Sequence, residues 1–231
     1  MKLSIIIPTL NEARCIGRLL DYLIEETLHH NAEIIICDGG STDQTKEIIL
    51  SKKNVRFILA EKKGRAHQLN EGAKNATGDL FYFVHADTIP PIHFVNLILD
   101  SIQKGNPAGC FRYTFDPPKH MLRINAWFTK FKGFYAGGGD QTLFITRSVF
   151  EELDGYNPSY VIMEDFDLVK RIRKKYRYII LKDPALVSSR KYELNNYWKV
   201  QWANSIAIIQ FKMGVNPVKI KEGYKKRIKT A

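Results

Sequence analysis

The sequence predicts an α/β domain built on a mostly parallel central sheet with helices on both faces. Three observations support this fold class. Short apolar runs end abruptly in polar residues, as strands do when both faces of a parallel sheet are covered. Segments with a helical spacing of apolar residues separate these runs. Because strand–helix–strand units cross over with a right-handed sense, the alternation predicts a doubly wound, Rossmann-like sheet.

The alternation is regular in the first part of the chain. Predicted strands lie at 3–8, 33–37, 55–59 and 80–84, and predicted helices at 16–28 and 65–76. The second of these helices turns a row of small or apolar residues inward, namely Ala66, Leu69, Ala73 and Ala76. Between the two helices, Ser41 and Gln44 predict a capping box for a helix that follows the second strand.

The second half of the chain is less regular. Predicted strands lie at 108–115, 142–146, 178–181 and 185–189, and an aromatic-rich helix or loop covers 121–135. A basic helix follows residues 163–167, because six of the eight residues 170–177 are Lys or Arg. A final helix over about 194–213 is expected to form a short helical appendage on the same domain, and a basic tail follows it.

The charge of the chain indicates its partners. The formal net charge of +11 favours anionic partners such as nucleotide phosphates, nucleic acid or an acidic membrane surface. Aromatic residues and lysines are interleaved over 127–135, as in segments that lie at a membrane interface. Together with the basic tail, this segment predicts peripheral association with an anionic membrane surface.

Cysteine usage and hydropathy indicate the compartment. Cys15, Cys37 and Cys110 are odd in number and far apart, so neither a disulfide framework nor a zinc cage is indicated. The apolar stretch 3–7 is shorter than the core of a signal peptide, and no segment approaches the roughly 20 apolar residues that span a bilayer. We therefore expect a cytoplasmic protein, peripheral at the inner face of the cell membrane.

Polar clusters follow three of the predicted strands. They cover 9–12 after the first strand, 38–43 after the second and 85–88 after the fourth. Ligands of doubly wound sheets bind outside the carboxyl ends of the strands. The three clusters therefore predict one ligand site at that edge of the sheet.

Several motifs resemble a known family. SIIIPTLNE at the N-terminus, DGGSTDQT after the second strand and an aspartate that closes the fourth strand resemble the family 2 glycosyltransferases, which have the GT-A fold. GRAHQLNEGAKNATGD, FVHADT, GGGDQ, MEDFDLVKRI and SSRK, in that order, resemble the bacterial branch called "transferase 2, radical SAM/selenodomain-associated". The resemblance runs from residue 3 to about residue 217.

The resemblance implies a hexosyltransferase. Such an enzyme moves a sugar from a nucleotide-diphosphate-sugar donor, here favoured to be a UDP-sugar, to an acceptor hydroxyl or carboxyl with inversion at the anomeric carbon. The expected acceptor is lipid-like or otherwise amphipathic. The resemblance also divides the domain 1–193 into a nucleotide-binding half of about 1–90 and an acceptor-side half of about 91–193. The remaining residues 194–231 are expected to be a C-terminal helix and a basic tail packed on this domain.

The family pattern implies a divalent metal ion, Mg²⁺ or Mn²⁺. Asp87 occupies the position of the family's metal-binding aspartate and is the expected ligand. These cations take oxygen ligands, usually one or two carboxylates together with substrate phosphates. Most members carry D-x-D, whereas this chain has His85-Ala86-Asp87. His85 is expected to replace the first aspartate, either as a neutral hydrogen-bonding group beside the nucleotide or as a soft ligand of the metal.

Other donor-side residues follow from the same resemblance. Asp38 is expected to accept a hydrogen bond from the donor's base, as the equivalent aspartate does from uracil N3–H. Pro8, Thr9 and Glu12 would line the same nucleoside pocket. Arg65 would lie near the base or the diphosphate, because a guanidinium binds phosphate oxygens in a bidentate manner.

The acceptor side contains the expected catalytic pair. Glu164 and Asp165 resemble the family's "ED" motif, in which the aspartate is the general base of inverting enzymes. Asp165 would take the acceptor's proton, and Glu164 would orient it or bind the acceptor. Asp140 and Gln141 would bind acceptor hydroxyls, and Arg190 would close over the diphosphate.

Two other functions fit parts of the pattern. Nucleotidyltransferases and sugar-phosphate transferases also use Rossmann-like domains with metal-binding aspartates. They generally carry a glycine-rich loop with a basic residue after the first strand, where this chain has Pro8 to Glu12. A basic nucleic-acid-binding module would account for the charge, but no RNA- or DNA-binding motif is recognisable, so no nucleic-acid partner is expected.

Overall fold

The computed structural model describes residues 1–116 and 141–229. The strands in these ranges are β1 (Leu3–Thr9), β2 (Ala32–Asp38), β3 (Val55–Leu59), β4 (Leu80–Phe83), β5 (Thr88–Ile89), β6 (Ala108–Asp116), β7 (Leu143–Thr146) and β8 (Tyr178–Ser188). The helices are α1 (Ile16–Thr27), α2 (Thr45–Leu50), α3 (Arg65–Asn75), α4 (Phe94–Gln103), α5 (Arg147–Glu152), α6 (Glu164–Lys175), α7 (Arg190–Leu194), α8 (Tyr197–Lys212) and α9 (Pro217–Arg227).

All eight of these strands form a single sheet in the order β3-β2-β1-β4-β7-β6-β8-β5. The first four strands in that order are parallel, as the βαβ alternation predicts. Strand β7 is antiparallel to both of its neighbours, and β5 is antiparallel to β8. The sheet is therefore a parallel half of the predicted kind joined to a mixed half, and the α/β fold class is confirmed.

Alternate residues of the central strands belong to two hydrophobic cores, one on each face of the sheet. Ile5 and Ile7 of β1 pack with α1 and α4, whereas Ile6 packs on the other face with α3 and α6. Successive strand residues point to opposite faces, so an apolar run such as Leu3–Ile7 is expected only where both faces are covered. Each fully buried isoleucine contributes about 1.5–3 kcal/mol.

Two local predictions were wrong. Ser41 does not form a capping box with Gln44, because its hydroxyl donates a hydrogen bond to Asp38. The turn before α2 is stabilised instead by the Asp43 carboxylate, which accepts a hydrogen bond from the backbone N–H of Thr45. The expected strands 178–181 and 185–189 are one strand, β8. The register against β6 shifts once, between Phe111 and Arg112, and pairing then resumes at Pro184.

The C-terminal part contains more helix than the hydrophobic pattern predicts. The expected helix over 194–213 begins at Tyr197, where the side chain of Asn196 caps it by accepting from the backbone N–H of Trp198. The expected basic tail is helical as α9, and Val200, Ala203 and Ile228 form a small core between α8 and α9. The expected aromatic segment 121–135 lies outside the described residues.

The three cysteines are free thiols, and two of them are buried. Cys37 and Cys110 are buried, and this burial raises the pKa of each thiol to about 12. Cys15 is half-buried, and all three thiols are free. Across the ranges that the structure describes, no helix combines the length and the hydrophobicity needed to cross a bilayer.

Helix α3 lies unusually close to the centre of the sheet. A side chain at Gly72 would collide with the Ile6 side chain, at a separation that real Cβ atoms do not reach. A glycine is therefore required there by packing, since its φ is not in the left-handed region. By contrast, a Cβ at Gly17 in α1 would meet Ile48 at an ordinary 3.4 Å.

We expect Gly72→Ala to lower the free energy of unfolding by about 1–3 kcal/mol, because the added methyl group forces α3 away from β1. The matched control is Gly17→Ala, which should be neutral or stabilising by about 0.5–1 kcal/mol, since alanine favours helix. Urea unfolding of both variants checks the prediction. Equal stabilities for the two variants would contradict the close packing.

Candidate functional site

The carboxyl ends of β1, β2 and β4 meet at one edge of the sheet. Thr9 and Asp38, the last residues of β1 and β2, are paired in register. The segment 85–87 follows β4 at the same edge, and β8 ends beside it because Ser188 donates its backbone N–H to the Asp87 carbonyl. The three polar clusters are thus brought together at the edge that the sequence indicates.

Asp38 organises the loop that follows β2. Its buried carboxylate accepts four hydrogen bonds, from the Thr9 hydroxyl at 2.9 Å, the Ser41 hydroxyl at 2.6 Å and the backbone N–H groups of Gly40 and Ser41 at 2.9 and 2.8 Å. A carboxylate offers about four acceptor positions, so the protein itself fills all of them. Recognition of a base by Asp38 stays a prediction and requires one of these donors to move.

Gln68 connects three elements at the edge of the sheet, although the sequence motifs did not identify it as a site residue. Its buried amide nitrogen donates to the carbonyls of Thr9 and Cys37, both at 2.8 Å. The side chain thereby joins α3 to the ends of β1 and β2. The available signal was its polar side chain among the inward positions Ala66, Leu69 and Ala73 of the same helix.

Glu12 and Arg190 form an ion pair across the edge. Their charged groups are 3.4 Å apart, although the residues are 178 positions apart in the chain. Burial opposes the charge of Arg190, but the Glu12 carboxylate and the nearby Asp87 carboxylate more than offset it and raise the pKa of the guanidinium. Arg190 is therefore a fixed cation beside Glu12 and Asp87.

The predicted catalytic pair lies at the start of α6. Glu164 and Asp165 are the first two residues of that helix, where the helix dipole favours negative charge. Arg65, the first residue of α3, lies 3.2 Å from Glu164 and 3.9 Å from Asp165. Half of the Arg65 side chain is exposed, so solvent screens this pairing and we assign it no large stabilisation.

Tyr156 lies beneath the pair. It is buried, and burial together with the Asp165 and Glu164 carboxylates holds the pKa of its hydroxyl well above the usual range, which keeps it neutral. Asn70 of α3 fixes this segment by exchanging two hydrogen bonds with the Tyr156 backbone, at 2.7 and 2.9 Å. Neither Tyr156 nor Asn70 was among the predicted site residues.

A small cleft connects the two halves of the site. Its lining includes donor-side and acceptor-side residues, namely Pro8, Leu69, Phe83, Val84, His85, Gln141, Leu143, Tyr156 and Asp165. Four of them, Pro8, His85, Gln141 and Asp165, were predicted from the sequence to lie in a site. Asp140 lies outside the described residues.

The side chains around Asp87 do not form a closed metal cage. Within residues 1–116 and 141–229, no group of three or more His, Cys, Asp or Glu side chains is placed to hold a metal ion. This finding is compatible with the single carboxylate ligand expected from the sequence. A cation at Asp87 would need further oxygen ligands from a substrate or water.

The sheet order and the paired acidic groups at its carboxyl edge define a class, the GT-A-like α/β transferase domains. Solved structures agree: S. aureus TarS 1–349 in complex with UDP-GlcNAc aligns with a TM-score of 0.66 and 18% identity over 96% of this chain and 69% of that chain. Mannosyltransferase PcManGT from Pyrobaculum calidifontis, in complex with GDP-Man and Mn²⁺, aligns with a TM-score of 0.68 and 20% identity over 92% and 64%. These likenesses show the fold.

Residues 4–151 match the family described as Glycosyl transferase family 2, and the chain belongs to that family. The dolichyl N-acetyl-alpha-D-glucosaminyl phosphate 3-beta-D-2,3-diacetamido-2,3-dideoxy-beta-D-glucuronosyltransferase of Methanococcus voltae is 37% identical over 81% of this chain and 66% of its own length. The dolichol-phosphate mannosyltransferase of Pyrococcus furiosus is 33% identical over 46% and 31%. The chain thus spans about two thirds or less of these relatives.

We expect Gln68→Met to lower the free energy of unfolding by about 1–3 kcal/mol, because the apolar side chain of similar length leaves two buried carbonyls without this donor. The variant should also weaken nucleotide binding, because the ends of β1 and β2 lose their connection to α3. Urea unfolding and calorimetric titration with UDP measure the two effects. Wild-type values in both would show that the Gln68 hydrogen bonds do not hold the edge together.

Proposed function

We propose that the chain is a glycosyltransferase that moves a sugar from a nucleotide-diphosphate-sugar donor to an acceptor hydroxyl or carboxyl. Family membership supports the class of reaction. The observation that carries the proposal is the cleft in which His85, on the donor side, and Asp165, on the acceptor side, share one lining. A reaction that joins two substrates requires the residues that contact them to lie side by side, as His85 and Asp165 do here.

The donor side is the edge around Asp38, Asp87 and Arg190. The diphosphate would lie against the Arg190 guanidinium, which is already held there by Glu12. Guanidinium groups match phosphate oxygens well. A UDP-sugar is favoured, and the complexes of TarS with UDP and UDP-GlcNAc agree with this choice on the same fold.

The Asp87 carboxylate is the expected ligand of Mg²⁺ or Mn²⁺. Asp87 is a half-buried carboxylate at the edge and belongs to no group of three or more potential ligands among the described residues. Such a carboxylate fits an ion that takes its remaining ligands from a diphosphate and water. When bound, the ion would stabilise charge that develops on the departing diphosphate. Arg190 supplies a second positive charge on the same side.

Asp165 is the proposed general base. As the acceptor oxygen attacks the anomeric carbon, its proton passes to the Asp165 carboxylate, and the bond from that carbon to the nucleoside diphosphate breaks with inversion. Arg65 holds Asp165 and Glu164 from the side. The buried Tyr156 lines the same cleft as Asp165.

The acceptor is proposed to be lipid-linked. The names of two relatives, the Methanococcus voltae and Pyrococcus furiosus transferases, refer to dolichyl- or dolichol-phosphate compounds. A cytoplasmic enzyme at the inner face of the membrane could reach such an acceptor. The assignment to the bacterial radical SAM/selenodomain-associated branch, and the division at residues 90 and 193, are parts of the same proposal.

We expect UDP to bind in the presence of Mn²⁺ or Mg²⁺ and Asp87→Ala to weaken this binding at least about tenfold, because a charged contact to the bound ion is lost. Isothermal titration with a panel of nucleoside diphosphates, with and without metal, measures the dissociation constants. Asp100→Ala, which removes an exposed carboxylate on α4, is the control and should bind normally. If no nucleotide bound in the presence of metal, the donor site would be refuted.

We expect Asp165→Asn to lower turnover by about 10²–10⁴-fold and to leave the dissociation constant of UDP unchanged, because the base acts on the acceptor rather than on the nucleotide. Release of UDP from UDP-sugars, with water in place of the acceptor, gives the rate. Asp154→Asn is a matched control, since Asp154 is exposed and its φ of 55° suits asparagine. Normal turnover in Asp165→Asn would exclude it as the base.

A further inference from the structure

Helix α8 exposes apolar residues along its outer face. Trp198 and Trp202 are 68% and 67% exposed, and Ile209 and Met213 are 48% and 75% exposed. Residues four and seven positions apart lie on the same side of a helix, so these four residues share one face, with Ser205 between Trp202 and Ile209. We call these residues the α8 stripe.

The opposite side of α8 is already packed. Val200, Ala203 and Ala207 are buried, and the first two form the core that α8 shares with α9. Apolar side chains thus lie on two opposite sides of α8, and one of these sides is exposed. Large exposed apolar patches mark interaction sites, so we take the α8 stripe as a candidate docking surface.

The α8 stripe is flanked by positive charge. Residues 197–229 carry a formal charge of +7, from eight Lys or Arg residues and one acidic residue, and most of these basic residues belong to α9, which packs on the opposite side of α8. Lys199 and Lys212 lie on α8 itself and are exposed. A second copy of this chain would bring an equal positive charge against the stripe. Nucleic acid would not bury the apolar side chains of Ile209 and Met213. An anionic bilayer satisfies both the charge and the apolar side chains.

We propose that the α8 stripe docks on the surface of an anionic lipid bilayer. The indole rings of Trp198 and Trp202 would lie at the level of the headgroups, where tryptophan is enriched in membrane proteins. The nearby lysines would contact anionic headgroups. This surface differs from the interleaved aromatic segment 127–135 that the sequence alone indicates.

The docking surface is joined to the acceptor side of the candidate site. The Phe211 ring on α8 contacts the rings of Tyr160 and Phe166, with centroids 5.7 and 6.1 Å apart. Phe166 directly follows the Glu164–Asp165 pair in α6. A bilayer that contacts α8 would thus lie near the helix that carries the Glu164–Asp165 pair. This extension to a lipid-linked acceptor rests on the proposed function, whereas docking itself does not.

Tryptophan fluorescence gives the first test, because the chain has three tryptophans and Trp127 can be removed as Trp127→Phe. Emission then comes from Trp198 and Trp202 alone. We expect a blue shift on addition of phosphatidylcholine vesicles that contain phosphatidylglycerol, weakened by salt, and none with phosphatidylcholine alone. An unchanged spectrum with the anionic vesicles overturns the proposal.

Co-sedimentation with the same vesicles gives the second test. The double variant Trp198→Ser/Trp202→Ser should bind at least about tenfold more weakly, and Trp198→Phe/Trp202→Phe should retain most of the binding. The matched control is Leu28→Ser/Leu50→Ser, which removes two leucines that are 68% and 60% exposed elsewhere, and it should bind like the parent.

Three results would overturn the proposal: full vesicle binding by the serine variant, tighter binding to RNA or DNA than to anionic vesicles, and a dimer that the serine variant dissociates in sedimentation velocity. Calorimetric titration of each variant with UDP separates the two claims. A parent chain that binds the anionic vesicles but does not bind UDP refutes the donor site alone. A parent chain that binds UDP but does not bind the anionic vesicles refutes the docking surface alone.

Discussion

The close packing of α3 against β1 is the constraint on which the rest of the site depends. Gly72 allows the helix to approach Ile6, and the Gln68 amide then reaches the carbonyls at the ends of β1 and β2. Once α3 is fixed in this way, its other polar residues have determined positions. Arg65 reaches Glu164, and Asn70 holds the backbone of Tyr156. One helix therefore aligns the ends of β1 and β2 with the start of α6.

The edge of the sheet is organised by pairs of opposite charge rather than by isolated groups. Arg190 is paired with Glu12, and Arg65 is paired with Glu164 and Asp165. A half-buried guanidinium held by a carboxylate keeps its position without a ligand and can still contact an incoming phosphate from its other side. Such preorganisation lowers the cost of ordering the side chain when a substrate binds. It also explains how several carboxylates can lie at the edge that we propose as the phosphate site.

The sequence predicted the parts of the fold that depend on local pattern. The strands β1 to β4 and the inward face of α3 follow from apolar periodicity, and the predictions hold because both faces of the sheet are covered. The polar clusters after the strands also lie together, as the parallel topology requires. Helix α9 was missed because its residues are mostly charged and show only one buried position, Ile220.

The contacts within the site could not be predicted in the same way. The pairing of Glu12 with Arg190 joins residues 178 positions apart, and no local pattern encodes it. Ser41 has the right spacing for a capping box, but the buried Asp38 carboxylate needs a donor more than the exposed start of α2 needs a cap, so the hydroxyl turns inward. Gln68 illustrates the same principle, since its role appears only when the ends of two strands are brought beside it.

The most direct test of the account is a crystal structure of the chain with UDP and Mn²⁺, in which anomalous scattering locates the metal. The account predicts a manganese peak beside the Asp87 carboxylate, with the diphosphate between that ion and Arg190. UDP bound at another surface, or bound at this edge with Arg190 turned away from the phosphates, would contradict the assignment of the carboxyl ends of β1, β2 and β4 as the donor site.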